Sequence, residues 1–156
     1  MTNRDFAKYK ENHISFWEMK EVEKPLIGFA VGAGLDSWSY WQYNKAAQAL
    51  LNKELIVPDD INPADFVEDQ LKYLELSEQI NDDVCRSAMP LASIPWMEAI
   101  LGCQVYSTEA HMTCRKVYDN IEDFKTVPIT ADNIWVRKYL EFIETYTDVF
   151  SGRYPV

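Results

Sequence analysis

Apolar side chains recur at helical spacing in three long stretches of the chain. Residues 4–20, 56–80 and 130–152 each carry apolar residues three or four positions apart, which predicts helices with one buried face. Asn62 is suited to cap the second helix, because its side chain can accept a hydrogen bond from the first helical turn. Gly152 is suited to end the third helix, because glycine adopts the left-handed backbone conformation easily.

The side chains that these helices should bury follow from the same spacing. In the second helix they are Phe66, Leu71 and Leu74, with Val67 and Tyr73 as further candidates; in the third they are Ile134, Trp135, Leu140, Phe142, Ile143 and Tyr146. A fourth helix is predicted from Asp36 or Ser37 to about Asn52, since aspartate and serine both cap helices.

Several shorter stretches are predicted to be strands. Residues 25–32 are almost all apolar, which is typical of a strand buried on both faces of a parallel sheet. Residues 84–91 form a second apolar run, and the β-branched and aromatic content of residues 104–118 predicts two short strands. Residues 152–156 favour a turn that enters a new strand.

One short segment between a proline and a glycine combines a wide apolar surface with a single carboxylate. Ser93 can cap a helix of about eight residues that ends at Gly102. A helix that is apolar nearly all round is buried or meets a partner. Glu98 then reaches solvent, pairs with an arginine or lies in a pocket, and the residues alone favour a structural role over a functional one. The apolar residues of this helix are Trp96, Met97, Ile100 and Leu101.

The charge of the chain limits the partners that it can bind. The formal net charge is -10, and no cluster of lysine and arginine offsets it. An acidic surface repels phosphate backbones and anionic lipid headgroups, so neither nucleic acid nor a membrane is an expected partner. No apolar run approaches the roughly 20 residues that span a bilayer, and the first residues form no apolar signal region.

Two further patterns bear on cofactors. Gly32 and Gly34 fill the first two positions of a G-x-G-x-x-G fingerprint, but Ser37 stands at the third, which favours a plain strand-to-helix turn over phosphate binding. His111 begins an H-x-x-C pattern, yet too few ligands follow for a complete zinc site, so no metal is expected in this chain. The three cysteines form no C-x-x-C pair, which indicates reduced thiols in a cytoplasmic protein: Cys85, Cys103 and Cys114.

The segment "SIPWMEAILGCQV", residues 93–105, resembles a "GIPWMEAILGCPV" motif of uroporphyrinogen-decarboxylase-like proteins of bacteria. These proteins are relatives of the haem-pathway decarboxylase and of corrinoid-dependent methyltransferases. Looser similarities to the same family follow in order along the chain, from about Phe16 onward. They are "FWEMKEVEKPLIGFAVG", "INPADFVEDQ" and "NIWVRKYLEFIETYTDVFSGRYPV".

The resemblance implies an α/β fold, because the family fold is a TIM-barrel-like (α/β)8 barrel. Such a barrel takes about 250 residues, so residues 1–156 are expected to be a single domain that forms the N-terminal part of a longer protein. That part would hold a helical cap and the first strands of an incomplete barrel. The resemblance also implies a decarboxylase, another lyase or a methyltransferase, with catalytic residues mostly beyond Val156 and with zinc or a corrinoid in the complete protein.

Within the chain, the motif implies three residues that line the substrate pocket: Trp96, Met97 and Glu98. The expected partner is then a small-molecule substrate. A second hypothesis is a non-catalytic interaction module derived from such an enzyme, which would self-associate through an exposed apolar edge or bind a separate catalytic half.

Overall fold

The computed structural model describes residues 6–20, 24–29, 45–80, 82–84, 86–91, 93–109, 111–123 and 128–156. In chain order these residues form helix α1 (Phe6–Trp17), helix α2 (Lys45–Gln48), helix α3 (Val67–Ser77), helix α4 (Trp96–Ile100), strand β1 (Val105–Ser107), strand β2 (Met112–Cys114) and helix α5 (Ile134–Phe150). Single turns of 3-10 helix span Pro58–Asp60, Pro63–Phe66 and Ile121–Asp123. The described part of the chain is therefore mainly helical.

Helix α5 forms the centre of the hydrophobic core. Its buried side chains lie seven or four positions apart on one face: Trp135, Phe142, Tyr146 and Phe150. Neighbouring rings meet edge to face, with centroids 5.6 Å apart for Phe142 and Tyr146 and 5.4 Å apart for Tyr146 and Phe150. Phe66 packs against Phe142 at 5.8 Å, which joins α5 to the turn before α3. Edge-to-face contacts between rings add to the free energy that is gained by burying their apolar area. This face of α5 is therefore expected to contribute strongly to stability.

The two strands form a small antiparallel sheet in which Val105 lies opposite Cys114. The backbone N–H of Ile56 donates to the carbonyl of Val105 at 2.8 Å, which adds one isolated bridge to the outer side of β1. The hydroxyl of Ser107 is buried; it donates to the Leu50 carbonyl and accepts from the Lys53 N–H. The prediction of two short strands within residues 104–118 is confirmed.

The long helices begin and end where the sequence predicts. Asn62, the predicted cap, accepts a hydrogen bond from the Ala64 N–H; Asn133, which was not predicted as a cap, accepts from the N–H groups of Trp135 and Val136. Gly102 and Gly152 have φ values of +94° and +78°, a conformation that other residues adopt only with strain. The predicted helices in 4–20, 56–80 and 130–152 are confirmed, although the first turn of the second is a 3-10 turn.

The prediction of an α/β fold with the first strands of a barrel is wrong for the described residues. Their only sheet is the antiparallel pair β1–β2, and none of their strands is parallel. Residues 25–29, 86–91 and 153–156, which were expected in strands, have irregular backbone. In residues 25–29 the physical reason is that side chains bind the backbone groups: the carboxylates of Asp82 and Asp83 accept from the N–H groups of Phe29 and Ile27, which a strand ladder would use.

The helix at the motif also differs from its prediction. Helix α4 has five residues, and Pro95 rather than Ser93 precedes it. The Ser93 hydroxyl is buried and has no hydrogen-bond partner among the described residues. Ser93 lies in the turn before Pro95, too far ahead of the helix for its hydroxyl to reach the first N–H groups.

The prediction that Ile134 and Leu140 belong to the core is wrong. Both side chains lie on the outer face of α5 and are 52% and 46% exposed. A helix was also predicted from Asp36 or Ser37 to about Asn52. Of the part that the structure describes, residues 45–52, only Lys45–Gln48 are helical. Residues 30–44 lie outside the described residues, as does Cys85. Gly32, Gly34 and the predicted cap at Asp36 or Ser37 therefore lie outside them too.

Candidate functional site

Helix α4, which carries the predicted site residues, lies against the N-terminal half of α5. Asn133, which caps α5, donates from its side-chain amide to the Ile100 carbonyl at 2.8 Å. Two side chains of α4, Ala99 and Ile100, are buried in the core. A helix of five residues is not stable alone, so these contacts fix its position.

Trp96 anchors α4 in the aromatic core. Its indole N–H donates to the Leu91 carbonyl at 3.0 Å. Its ring meets the rings of Trp135, Tyr139 and Phe142 edge to face, with centroids 6.0, 5.2 and 5.8 Å away. These contacts make Trp96 the residue that sets the orientation of α4.

Met97 and Glu98, the other two predicted site residues, lie on the outer side of α4. Met97 is 61% exposed, and Glu98 is also exposed. Among the described residues, Glu98 makes no ion pair. Of the three environments that the sequence allows for this carboxylate, the structure places it in solvent.

Two partly buried thiols, those of Cys103 and Cys114, lie close to α4. The Cys103 N–H donates to the Glu98 carbonyl at 2.9 Å, and Cys114 lies on β2 opposite Val105. Burial raises the pKa of the Cys114 thiol to about 11, and the nearby Cys103 and Glu98 add to this effect. A thiol with a raised pKa is a poor nucleophile near neutral pH, so Cys114 does not supply an activated thiolate.

The zinc or corrinoid that the resemblance implies was assigned to the complete protein, and it stays a prediction. Within the part of the chain that the structure describes, no three side chains of His, Cys, Asp or Glu come close enough to hold a metal ion. His111 is exposed, and its Nδ1 lies 3.3 Å from the Thr108 hydroxyl. We therefore derive no step through a metal or a corrinoid.

A buried ion pair joins three segments of chain near α1. The side chain of Asp82 is fully buried and binds the guanidinium of Arg86 through two nitrogens, at 2.6 and 2.9 Å. The same carboxylate accepts from the Phe29 N–H at 3.0 Å, and Arg86 donates to the Phe29 carbonyl at 2.8 Å. The hydrogen bond from Arg86, its largest cause, lowers the pKa of Asp82 to about 2.

This ion pair keeps neighbouring segments together. Asp83 exchanges hydrogen bonds with Ile27, and the Ala88 N–H donates to the Pro155 carbonyl at 2.8 Å. Gly28 approaches Val84 so closely that any side chain at position 28 would overlap it. Residues 24–29, 82–84, 86–90 and 153–156 consequently lie side by side.

A cleft of about 500 Å³ opens between α1 and the turn that follows α5. Tyr9, Lys10 and His13 line one wall, and Arg153 and Tyr154 line the other. Sequence reasoning missed this cleft, because its two walls are about 140 residues apart along the chain. The one local signal is the spacing of Tyr9 and His13, which places both on the same face of a helix.

Comparison of the chain with protein-family models, with curated proteins and with solved structures finds no match. Separately, none of the helices in the described residues combines the length and the apolar character needed to cross a membrane.

Proposed function

We propose that this chain is part of an enzyme similar to the uroporphyrinogen-decarboxylase-like proteins, a lyase or a methyltransferase that acts on a small molecule. The motif at residues 93–105 supports the proposal. The proposal does not include the barrel fold, and it assigns most catalytic residues to chain outside these 156 residues. Within the chain, Met97 and Glu98 are the residues that contact the substrate, and Trp96 positions them.

One observation carries the role of α4: an anchored helix turns a thioether and a carboxylate outward together. Trp96 is held by one hydrogen bond and three ring contacts, so Met97 and Glu98 keep a fixed direction. Because the helix backbone is already held in place, a substrate that donates a hydrogen bond to Glu98 has to order only the glutamate side chain and not the backbone that carries it. A thioether offers a polarizable apolar contact beside it.

The test of this role replaces Glu98 by Gln in the native protein. Porphyrinogen decarboxylation and methyl transfer would be assayed on the protein isolated from its own cells, and on the same protein with the substitution. We expect Glu98→Gln to lower turnover about ten-fold, the loss that follows when one charge-assisted hydrogen bond becomes a neutral one. The unfolding midpoint should stay the same, because Glu98 is exposed.

The matched control is Glu144→Gln, which removes an exposed carboxylate from the outer face of α5. This variant should leave both turnover and stability unchanged. If Glu98→Gln keeps full turnover, α4 does not contact the substrate. If the native protein shows neither activity, the enzymatic proposal itself fails.

We propose self-association as a second candidate function, because the segments that meet at the Asp82–Arg86 pair expose several apolar side chains. The occupant we propose is a second copy of this chain. Two ion pairs belong to these segments, Asp82 with Arg86 and Asp83 with Lys24, so these four charges do not oppose the contact of two copies. The exposed side chains are Ile27, Phe29, Met89 and Val156, at 49%, 57%, 51% and 42% exposure.

A double substitution tests self-association. The unmodified chain should sediment at twice its mass of 18.2 kDa, and Phe29→Ser with Met89→Ser should return it to the single-chain mass. Analytical ultracentrifugation at several concentrations measures both. The control pair is Ile129→Ser with Val117→Ser, which removes equally exposed apolar side chains from other segments and should leave the dimer intact. A single-chain mass for the unmodified protein would rule out this function.

A further inference from the structure

The cleft between α1 and the C-terminal turn has walls of two kinds. The rings of Tyr9 and Tyr154 and the ring of Pro155 supply apolar surface. Lys10 and Arg153 supply a positive charge from each side. Its volume of about 500 Å³ falls in the range of pockets that hold small molecules.

Hydrogen bonds to neighbouring segments fix the α1 wall. The Tyr9 hydroxyl donates to the Asp82 carbonyl at 3.0 Å. Nε2 of His13 lies 2.9 Å from the Asp83 carbonyl and must donate to it, because a carbonyl oxygen only accepts. Two consecutive carbonyls thus bind two residues one helical turn apart, and α1 cannot rotate away from the cleft without breaking both bonds.

Helix α3 fixes the opposite wall. The Tyr154 hydroxyl donates to the Glu78 carboxylate, and Arg153 pairs with Glu75 at 3.0 Å. The guanidinium of Arg153 also lies over the Tyr154 ring, 4.9 Å from its centroid. Because the Tyr154 hydroxyl is committed to Glu78, Tyr154 presents mainly its ring to the cleft.

The charge of the cleft is opposite to the charge of the chain. The chain carries a net charge of -10, yet the described residues that line the cleft include two cations and no carboxylate. Arg153 is partly neutralised by Glu75, whereas Lys10 makes no ion pair within the described residues. An ammonium group beside aromatic walls, with no acidic partner among the described residues, favours a ligand that brings its own negative charge.

We propose that this cleft binds a small anion with an apolar body, of the class of aromatic carboxylates. The carboxylate would lie between Lys10 and Arg153, and its ring would pack against Tyr9, Tyr154 and Pro155. Nδ1 of His13 has no partner among the described residues, so it could take a further hydrogen bond from or to the ligand. The proposed site binds its ligand without a chemical reaction, so it requires neither a nucleophile nor a metal ion.

This site is separate from α4 and does not rest on the proposed function. Helix α4 contacts the first half of α5, through Trp135, Tyr139 and Phe142. The cleft lies beyond the other end of α5, at Gly152 and Arg153. A helix of 17 residues is about 25 Å long, so one small molecule cannot occupy both places.

Benzoate and benzyl alcohol test the proposal, because the two molecules share a ring and differ in charge. Amide chemical shifts of the full chain would be followed by NMR during titration with each. Benzoate should bind with a Kd on the order of 1 mM, as expected for a ligand of nine heavy atoms, and should shift the amides of Lys10, Gly152 and Arg153. Benzyl alcohol should not reach saturation at the same concentrations.

The variant Lys10→Met should weaken benzoate binding about five- to ten-fold, because it removes one charge-assisted contact and keeps the length of the side chain. The matched control is Lys20→Met, an exposed lysine just after α1 that does not line the cleft. It should leave the Kd unchanged. The proposal is overturned if benzyl alcohol binds as well as benzoate, if Lys10→Met binds normally, or if the shifts lie outside the cleft.

Discussion

Replacing Asp82 by Asn should lower the free energy of unfolding by about 3 kcal/mol, since removing one partner of a buried ion pair leaves the other charge without compensation. The Asp82 side chain is fully buried and that of Arg86 is only 10% exposed, so water cannot replace the lost carboxylate. The substitution also weakens the acceptor of the Phe29 N–H and loosens the segment of residues 24–29. Urea unfolding of both proteins, followed by circular dichroism, measures the difference.

The surface pair of Lys116 and Asp119 provides the control. Both side chains are highly exposed, at 69% and 88%, and exposed pairs contribute between about 0 and 1 kcal/mol. Asp119→Asn should therefore change the free energy of unfolding by no more than about 0.5 kcal/mol. Equal losses for Asp82→Asn and Asp119→Asn would contradict the central role of the buried pair.

The same carboxylate should make stability depend on pH in the acid range. Its pKa lies at about 2 in the folded protein, below the ordinary value of 3.8, so protonation favours the unfolded chain. The contribution is complete above about pH 5 and is lost as the pH falls through 4 toward 2; its size is about 2 kcal/mol. Unfolding measured between pH 2 and 6 should show a shallower slope for Asp82→Asn than for the unmodified chain.

Replacing Trp96 by Ala should lower the free energy of unfolding by about 2 to 4 kcal/mol, toward the lower part of the range for core aromatics because Trp96 is only partly buried. The loss combines a cavity among Trp135, Tyr139 and Phe142 with a missing donor to the Leu91 carbonyl. Trp96→Phe should cost less, about 1 to 2 kcal/mol, because it keeps an aromatic ring and loses mainly the hydrogen bond. Thermal or urea unfolding measures both changes.

The neighbouring residue of the motif makes a matched control. Met97 is 61% exposed, so Met97→Ala should change stability by no more than about 0.5 kcal/mol. The contrast tests whether α4 has an anchoring side and a presenting side. A large loss for Met97→Ala, or a small one for Trp96→Ala, would show that the two residues do not divide the roles in this way.

The two proposed sites differ in how far the sequence could point to them. The motif residues Trp96, Met97 and Glu98 are adjacent in the chain, so a pattern of three residues was enough to single them out. The pattern could not show that Trp96 faces α5 while Met97 and Glu98 face solvent, because the direction of a short helix depends on what packs against it. Nor could it reveal the cleft, since Lys10 and Arg153 meet only in the folded chain.

Local chemistry made the helix limits predictable. Asn62, Gly102 and Gly152 act through their own side chain or backbone conformation, so their effects were visible in the sequence and are present in the structure. The antiparallel pair within residues 104–118 was predictable for a similar reason: its strands are close in sequence and rich in residues that favour extended backbone.

Whether the apolar runs at residues 25–32 and 84–91 form strands depends on segments that are remote in the sequence. A short apolar run satisfies its backbone groups through whatever lies beside it in the folded chain, and the sequence does not name that neighbour. In residues 24–29 the neighbour is the turn at Asp82 and Asp83, whose carboxylates accept the N–H groups that a parallel strand would otherwise use. Strand pairing joins segments that are remote in the sequence, whereas capping joins residues within one turn. The helix limits set by local caps were therefore predicted correctly, and the barrel strands, which depend on remote segments, were not.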